Sequence, residues 1–97
     1  MFACALSIDL HLPECRSLKA KRAVVKPIVE GLRRRYHVAA AEVGHADSWQ
    51  RAELGVAVVS GSQHHASDIL DEVERYVWSF PEVQVLATSR SWLEDAR

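Results

Sequence analysis

Arg16, Lys19, Lys21, Arg22, Lys26, Arg33, Arg34 and Arg35 place eight of the chain's twelve Lys and Arg residues between positions 16 and 36. Cations repeated about one helical turn apart can meet successive phosphates of a nucleic acid, so this spacing points to backbone binding. The plainer alternative is a solvated helix face. The net charge is −1, which excludes wholesale attraction to polyanions and leaves only local asymmetry to drive binding. That asymmetry is present, because residues 68–74 (DILDEVE) carry four acids.

Other chemistries find less support. His64 and His65 are adjacent, so on a helix they point about 100° apart and share one ion poorly. His11, His37 and His45 lie on separate segments without ligand spacing, and no metal or cofactor is expected. Gly61-Ser62 lacks the glycine pattern of a phosphate cradle. Asp9, Glu42 and Glu53 fall on strands, where cross-strand pairing with basic residues is the expected role. With no acid–base pair and no activated nucleophile legible, the expectation is a non-enzyme. Cys4 reads as a buried small hydrophobe and Cys15 as an incidental loop thiol.

The elements that position the cations follow from hydrophobic periodicity. Residues 2–12 alternate, with Phe2, Cys4, Leu6, Ile8, Leu10 and Leu12 on one side, and Pro13 stops the strand. Ser17 caps a helix over about 17–35, whose core stripe is Leu18, Val25, Ile28, Val29, Leu32 and Tyr36. Ala20 stands where a capping box would want Glu. Lys19, Arg22, Lys26 and Arg33 cluster within about 60° on the adjoining flank, and Lys21 lies at the stripe's edge. Pro27 is expected to kink the helix or split it in two, and Gly31 weakens its second half.

Residues 37–43 and 51–60 read as strands joined by the long tip GHADSWQ. The parity switch from Val38 and Ala40 to Ala41 and Val43 suggests a bulge in the first. Ser62 opens a second helix, with Ala66, Ile69, Leu70, Val73, Tyr76, Val77 and Phe80 at helical spacing until Pro81. A last strand covers 83–92.

The order β-α-β-β-α-β predicts one ferredoxin-like α+β domain over residues 1–97. Its antiparallel sheet has spatial order 4-1-3-2, with both helices on one face. Phe2, Leu6, Ile8, Val25, Leu32, Val56, Ile69, Val73 and Val77 are the expected core. The open face carries no aromatic on either central strand, which excludes base stacking of the kind other ferredoxin-like sheets use. Ala5, Ser7, Arg51, Ala57 and Val59 there, with Trp49 at the hairpin tip, are candidate contacts to a partner or a second copy. A homodimer or higher oligomer is therefore expected. Trp49 reads either as folded back on the bulge or as a partner's anchor. No run approaches the ~18 residues of a membrane span, and a cytoplasmic location is expected.

The stretches SLKAKRAVVKPIVEGLRRRY and AAAEVGHADSWQRAELGVAVVS together resemble the YlxP-like family, small bacterial proteins classed as a domain of unknown function. The distinctive pieces are Ser17-Leu18-Lys19, Lys21-Arg22, Lys26-Pro27, Ala41-Glu42-Val43 and Trp49-Gln50-Arg51-Ala52. The resemblance implies a ferredoxin-like fold. Genes of that family often lie near translation-initiation and ribosome-maturation genes, which implies a partner in ribosomal RNA or a ribosomal subunit. The expected function is an RNA- or ribosome-associated accessory protein, with Arg16, Lys19, Lys21, Arg22, Lys26 and Arg33 as the RNA contacts. The alternative is a homo-oligomeric protein-interaction module with no nucleic-acid role.

Overall fold

The computed structural model describes residues 1–94. The chain runs β1 (Phe2–His11), α1 (Leu18–Tyr36), β2 (Ala39–Gly44), β3 (Arg51–Ser60), α2 (Gln63–Trp78) and β4 (Gln84–Glu94). All pairings are antiparallel and the strand order is β2-β3-β1-β4, the expected ferredoxin-like sandwich. Pairing of Leu6 with Val56 and Ile8 with Leu54 puts the apolar parity of both central strands on the same face. There they meet Val25, Ile28 and Leu32 of α1 and Leu70, Val73 and Val77 of α2 in one core cluster. Each fully buried Leu, Ile or Val in that layer contributes roughly 1.5–3 kcal/mol. Phe2 and Ile69 sit only half-buried, at the margin of the layer in which they were expected.

Ser17 caps α1 with its Oγ accepting from the Ala20 amide at 3.0 Å, and His37 closes the helix in a left-handed conformation, φ 54°. Ser62 caps α2 in the same manner through the His65 amide. Of the two outcomes expected at Pro27, a kink or a split, the split does not occur: α1 continues as one helix of nineteen residues. Proline removes the donor to the Ala23 carbonyl, but both residues face solvent, where water can take the vacant acceptor.

Two boundaries also differ. Because His37 ends α1, β2 starts at Ala39 and not at residue 37. The bulge lies at Val43, where the pairing skips from Glu42 opposite Leu54 to Gly44 opposite Glu53. Val38, Ala40 and Glu42 thus keep one parity toward α1, and the shift follows Glu42 where the parity switch suggested Ala40.

Candidate nucleic-acid interface

Because α1 is unbroken, its outer flank is a continuous row. Arg16 before the helix, then Lys19, Arg22, Lys26 and Arg33, are all exposed. Lys26 pairs loosely with Glu30 at 4.0 Å, both side chains being well exposed, so that contact holds the lysine weakly. Arg33 is partly committed, its Nε donating to the Ala40 carbonyl at 2.9 Å and tying α1 to the edge strand β2. Arg22, Lys26 and Arg33 line one wall of a groove of about 270 Å³, with Val25 and Val29 within it and Ala41 and Glu42 on the β2 side.

Lys21 does not belong to this row, which corrects its assignment as an RNA contact. It is 1% exposed. Its Nζ donates to the carbonyls of His45 (2.9 Å), Ala46 (3.3 Å) and Arg51 (3.2 Å). An ammonium has three donors, so these carbonyls use them all. Glu42 Oε2 stands 3.0 Å away and balances the charge without receiving a directed hydrogen bond. No phosphate can reach this group without displacing the β2–β3 loop from α1.

The same loop is stitched to the segment before α1. The Leu12 amide donates to the Gln50 carbonyl at 2.9 Å, and Gln50 Nε2 donates to the carbonyls of Pro13 and Cys15. Ser48 Oγ accepts from the amides of Gln50 and Arg51, and the Ser48 amide donates to the His45 carbonyl. Sequence reasoning missed Gln50 as a structural partner and placed the basic partner of Glu42 on a strand when it is Lys21 of α1, because nothing in local spacing marks a side chain that bonds to carbonyls or charges more than twenty residues away. Trp49, carried on this loop, is 54% exposed and outside the set of hydrophobics that touch the core. It does not fold back to become core.

The open face of the sheet presents Ala5 and Ala57 exposed and Ser7 half-buried, with Val59 strongly exposed. Ser7 Oγ donates to Glu53 Oε2 at 2.7 Å, and Arg51 pairs with Asp9 at 2.7 Å. Of the three strand carboxylates only Asp9 has the cross-strand basic partner expected of it: Glu53 takes a serine hydroxyl instead, and Glu42 pairs with Lys21 of α1. Ala5, Ala39, Ala41, Gly55, Ala57 and Ser91 border a shallow hollow of about 440 Å³ on that face.

Charge on α2 is less free than its sequence suggests. Arg90 of β4 donates to Asp71 at 2.8 Å and Glu74 at 2.7 Å, so its one positive charge is shared between two of the four acids. Burial of the guanidinium opposes its charge, but the bonds to Glu74 and Asp71 outweigh it and raise the Arg90 pKa. Among the described residues no cluster of three or more His, Cys, Asp or Glu could hold a metal ion, and no helix is long and apolar enough to cross a membrane.

A family model described as "Protein of unknown function (DUF503)" matches residues 3–90. The "Uncharacterized protein YlxP" of Bacillus subtilis (strain 168) is 38% identical over 76 residues, which is 78% of this chain and 83% of that protein. Among solved structures, the solution NMR structure of a de novo designed protein with ferredoxin fold aligns with a TM-score of 0.57 at 11% identity. That alignment covers 100% of this chain and 89% of the designed one, and bears on the fold alone.

Proposed function

The chain belongs to the DUF503 family, and on that premise we propose that it is a non-enzymatic, cytoplasmic accessory protein that binds the phosphate backbone of RNA through the outer flank of α1. The observation that carries this is the unbroken α1 with Lys19, Arg22 and Lys26 exposed along one side. At ~1.5 Å rise per residue, Lys19 to Arg33 spans about 21 Å, with Lys19, Arg22 and Lys26 about 4.5–6 Å apart along the axis. Ribosomal RNA or a ribosomal subunit is the partner favoured by the gene neighbourhood that the YlxP-like resemblance implies. The contacts read backbone charge and carry little sequence information.

The test is co-sedimentation with ribosomal subunits and titration of RNA over a range of salt. Contact with four phosphates of a single strand gives a slope of roughly −3 in log affinity against log salt, at about 0.7 for each. Changing Lys19, Arg22 and Lys26 together to Glu should abolish binding with the fold intact. If that variant binds subunits as tightly as the parent at physiological salt, the row is only a solvated face.

A second reading rests on a separate observation. Val43, Val59 and Leu93 are each more than half exposed and flank the alanine-lined open face. An uncovered face of that kind suits association of two copies. Val59→Lys should then dissociate an oligomer seen by light scattering, and a parent that is strictly monomeric at high micromolar concentration removes the idea.

A further inference from the structure

We infer that Trp49 is a stacking platform for an unpaired RNA base, placed where the cation row begins, so that the favoured ligand has a single-stranded stretch leading onto α1. This rests on the phosphate-binding role proposed above and adds the class of RNA. The loop that carries Trp49 is held by bonds from Lys21 to the His45, Ala46 and Arg51 carbonyls and by the Ser48 hydroxyl beneath the Gln50 and Arg51 amides. Gln50 next bonds the Pro13 and Cys15 carbonyls, which fixes the residue after Trp49 beside the residue before Arg16. Polar groups of the loop are thus spent on rigidity, while its one large apolar side chain is left more than half exposed. A fold gains little from ordering an exposed indole. A ligand gains from it, because the loop that presents the ring is already fixed before binding.

The occupant follows from what surrounds the ring. A shallow hollow of about 310 Å³ is lined by Asp47, Ser48, Trp49 and Gln50. Asp47 is exposed and anionic, so a phosphate is disfavoured at the tip itself, whereas the flat face of a base is not. Arg16, on the segment to which the loop is stitched, and Lys19, in the first turn of α1, are exposed and can take the phosphates that follow. Stacking on an aromatic combined with a charged track is how single strands are held without sequence preference. The base-stacking chemistry that the sheet face lacks is supplied instead by the loop.

The experiment compares a fluorescein-labelled single-stranded RNA oligomer of mixed sequence with an RNA duplex of equal length. Fluorescence anisotropy is read for the parent, Trp49→Ala, Trp49→Phe and the Lys19→Glu, Arg22→Glu, Lys26→Glu triple variant. Trp49→Ala should weaken single-strand binding by about 5- to 150-fold, the range for loss of one stacked base. Trp49→Phe should restore most of it, duplex binding should be unchanged, and the triple variant should lose both ligands. Equal losses of Trp49→Ala on the two RNAs would overturn the inference, because a merely structural loop role moves both. Unchanged single-strand affinity in Trp49→Ala, with the triple variant inactive, overturns it while the phosphate row stands, and leaves Trp49 to a protein partner. If the parent binds neither RNA at low salt, the phosphate row fails and stacking fails with it.

Discussion

Replacing Lys21 by Met keeps most of the buried stem and removes only the ammonium, which makes it the sharpest perturbation of this molecule. Three loop carbonyls lose a charged donor, a kind of bond that contributes roughly 1.5–3 kcal/mol each. The His45 carbonyl keeps the Ser48 amide, so its loss is partial. Glu42 loses its balancing charge, but its side chain is 26% exposed and water offsets part of that cost. Breaking a buried pair costs roughly 3–5 kcal/mol, and with these offsets the lower half, about 3–4 kcal/mol, is the expected loss. For a domain of this size that corresponds to a fall in Tm of about 12–30 °C. Urea unfolding followed by circular dichroism measures it, with exposed Lys19→Met as the control at within about 0.5 kcal/mol. Adding Glu42→Leu to Lys21→Met should recover part of the loss by removing the uncompensated carboxylate. In RNA titrations below the variant's unfolding range the salt slope should stay unchanged, whereas a phosphate-binding lysine would lower it by about 0.7. A cost under about 1 kcal/mol with a lowered slope would refute the buried pin and return Lys21 to the cation row.

Gly31→Ala should destabilise by about 1–3 kcal/mol in the same urea assay, although alanine is the better helix former, because a Cβ there collides with the Tyr76 hydroxyl and lies 2.9 Å from Cζ. Leu70→Ala should cost about 3 kcal/mol and half-buried Ile69→Ala clearly less, since only Leu70 is fully enclosed. Burial pushes the Cys4 thiol above its ordinary 9.0, against smaller lowering effects of Arg90 and the Ser91 backbone. A thiol raised on folding contributes stability below its ordinary value that is lost as pH rises through the folded one. The stability of the parent should therefore decline above about pH 9 relative to a Cys4→Ala variant, and thiol reagents should label Cys4 only on unfolding.

The elements of this protein are legible because periodicity is a local property. Alternation over Phe2–Leu12, the 3.6-residue stripe from Leu18 to Tyr36 and the stripe of α2 each name the side that must leave water, and short connections then allow few arrangements. The cation row is legible for the same reason, since Lys19, Arg22 and Lys26 are set by helical angle alone. Pro27 does not divide α1, and the physical reason is exposure: the vacant Ala23 carbonyl and the proline both face solvent, where water offsets the lost bond. The bulge is visible in outline from the mixed parity of residues 38–43, but its place at Val43 depends on what β3 presents opposite, with Gly55 leaving room against the Val43 side chain.

What only the tertiary structure decided is the division of labour among the lysines and the state of the hairpin tip. By helical angle Lys21 is an edge residue that could turn either way. It is buried because carbonyls 24 to 30 residues along the chain close over it, and no pattern near position 21 encodes them. Trp49 likewise stays outside the core on a loop that Lys21 pins to α1 and Gln50 ties to the Pro13 and Cys15 carbonyls, a constraint assembled from segments distant in sequence. Hydrophobic burial is additive along an element and so can be read there; directed hydrogen bonds to a distant backbone exist only once the chain has folded to supply them.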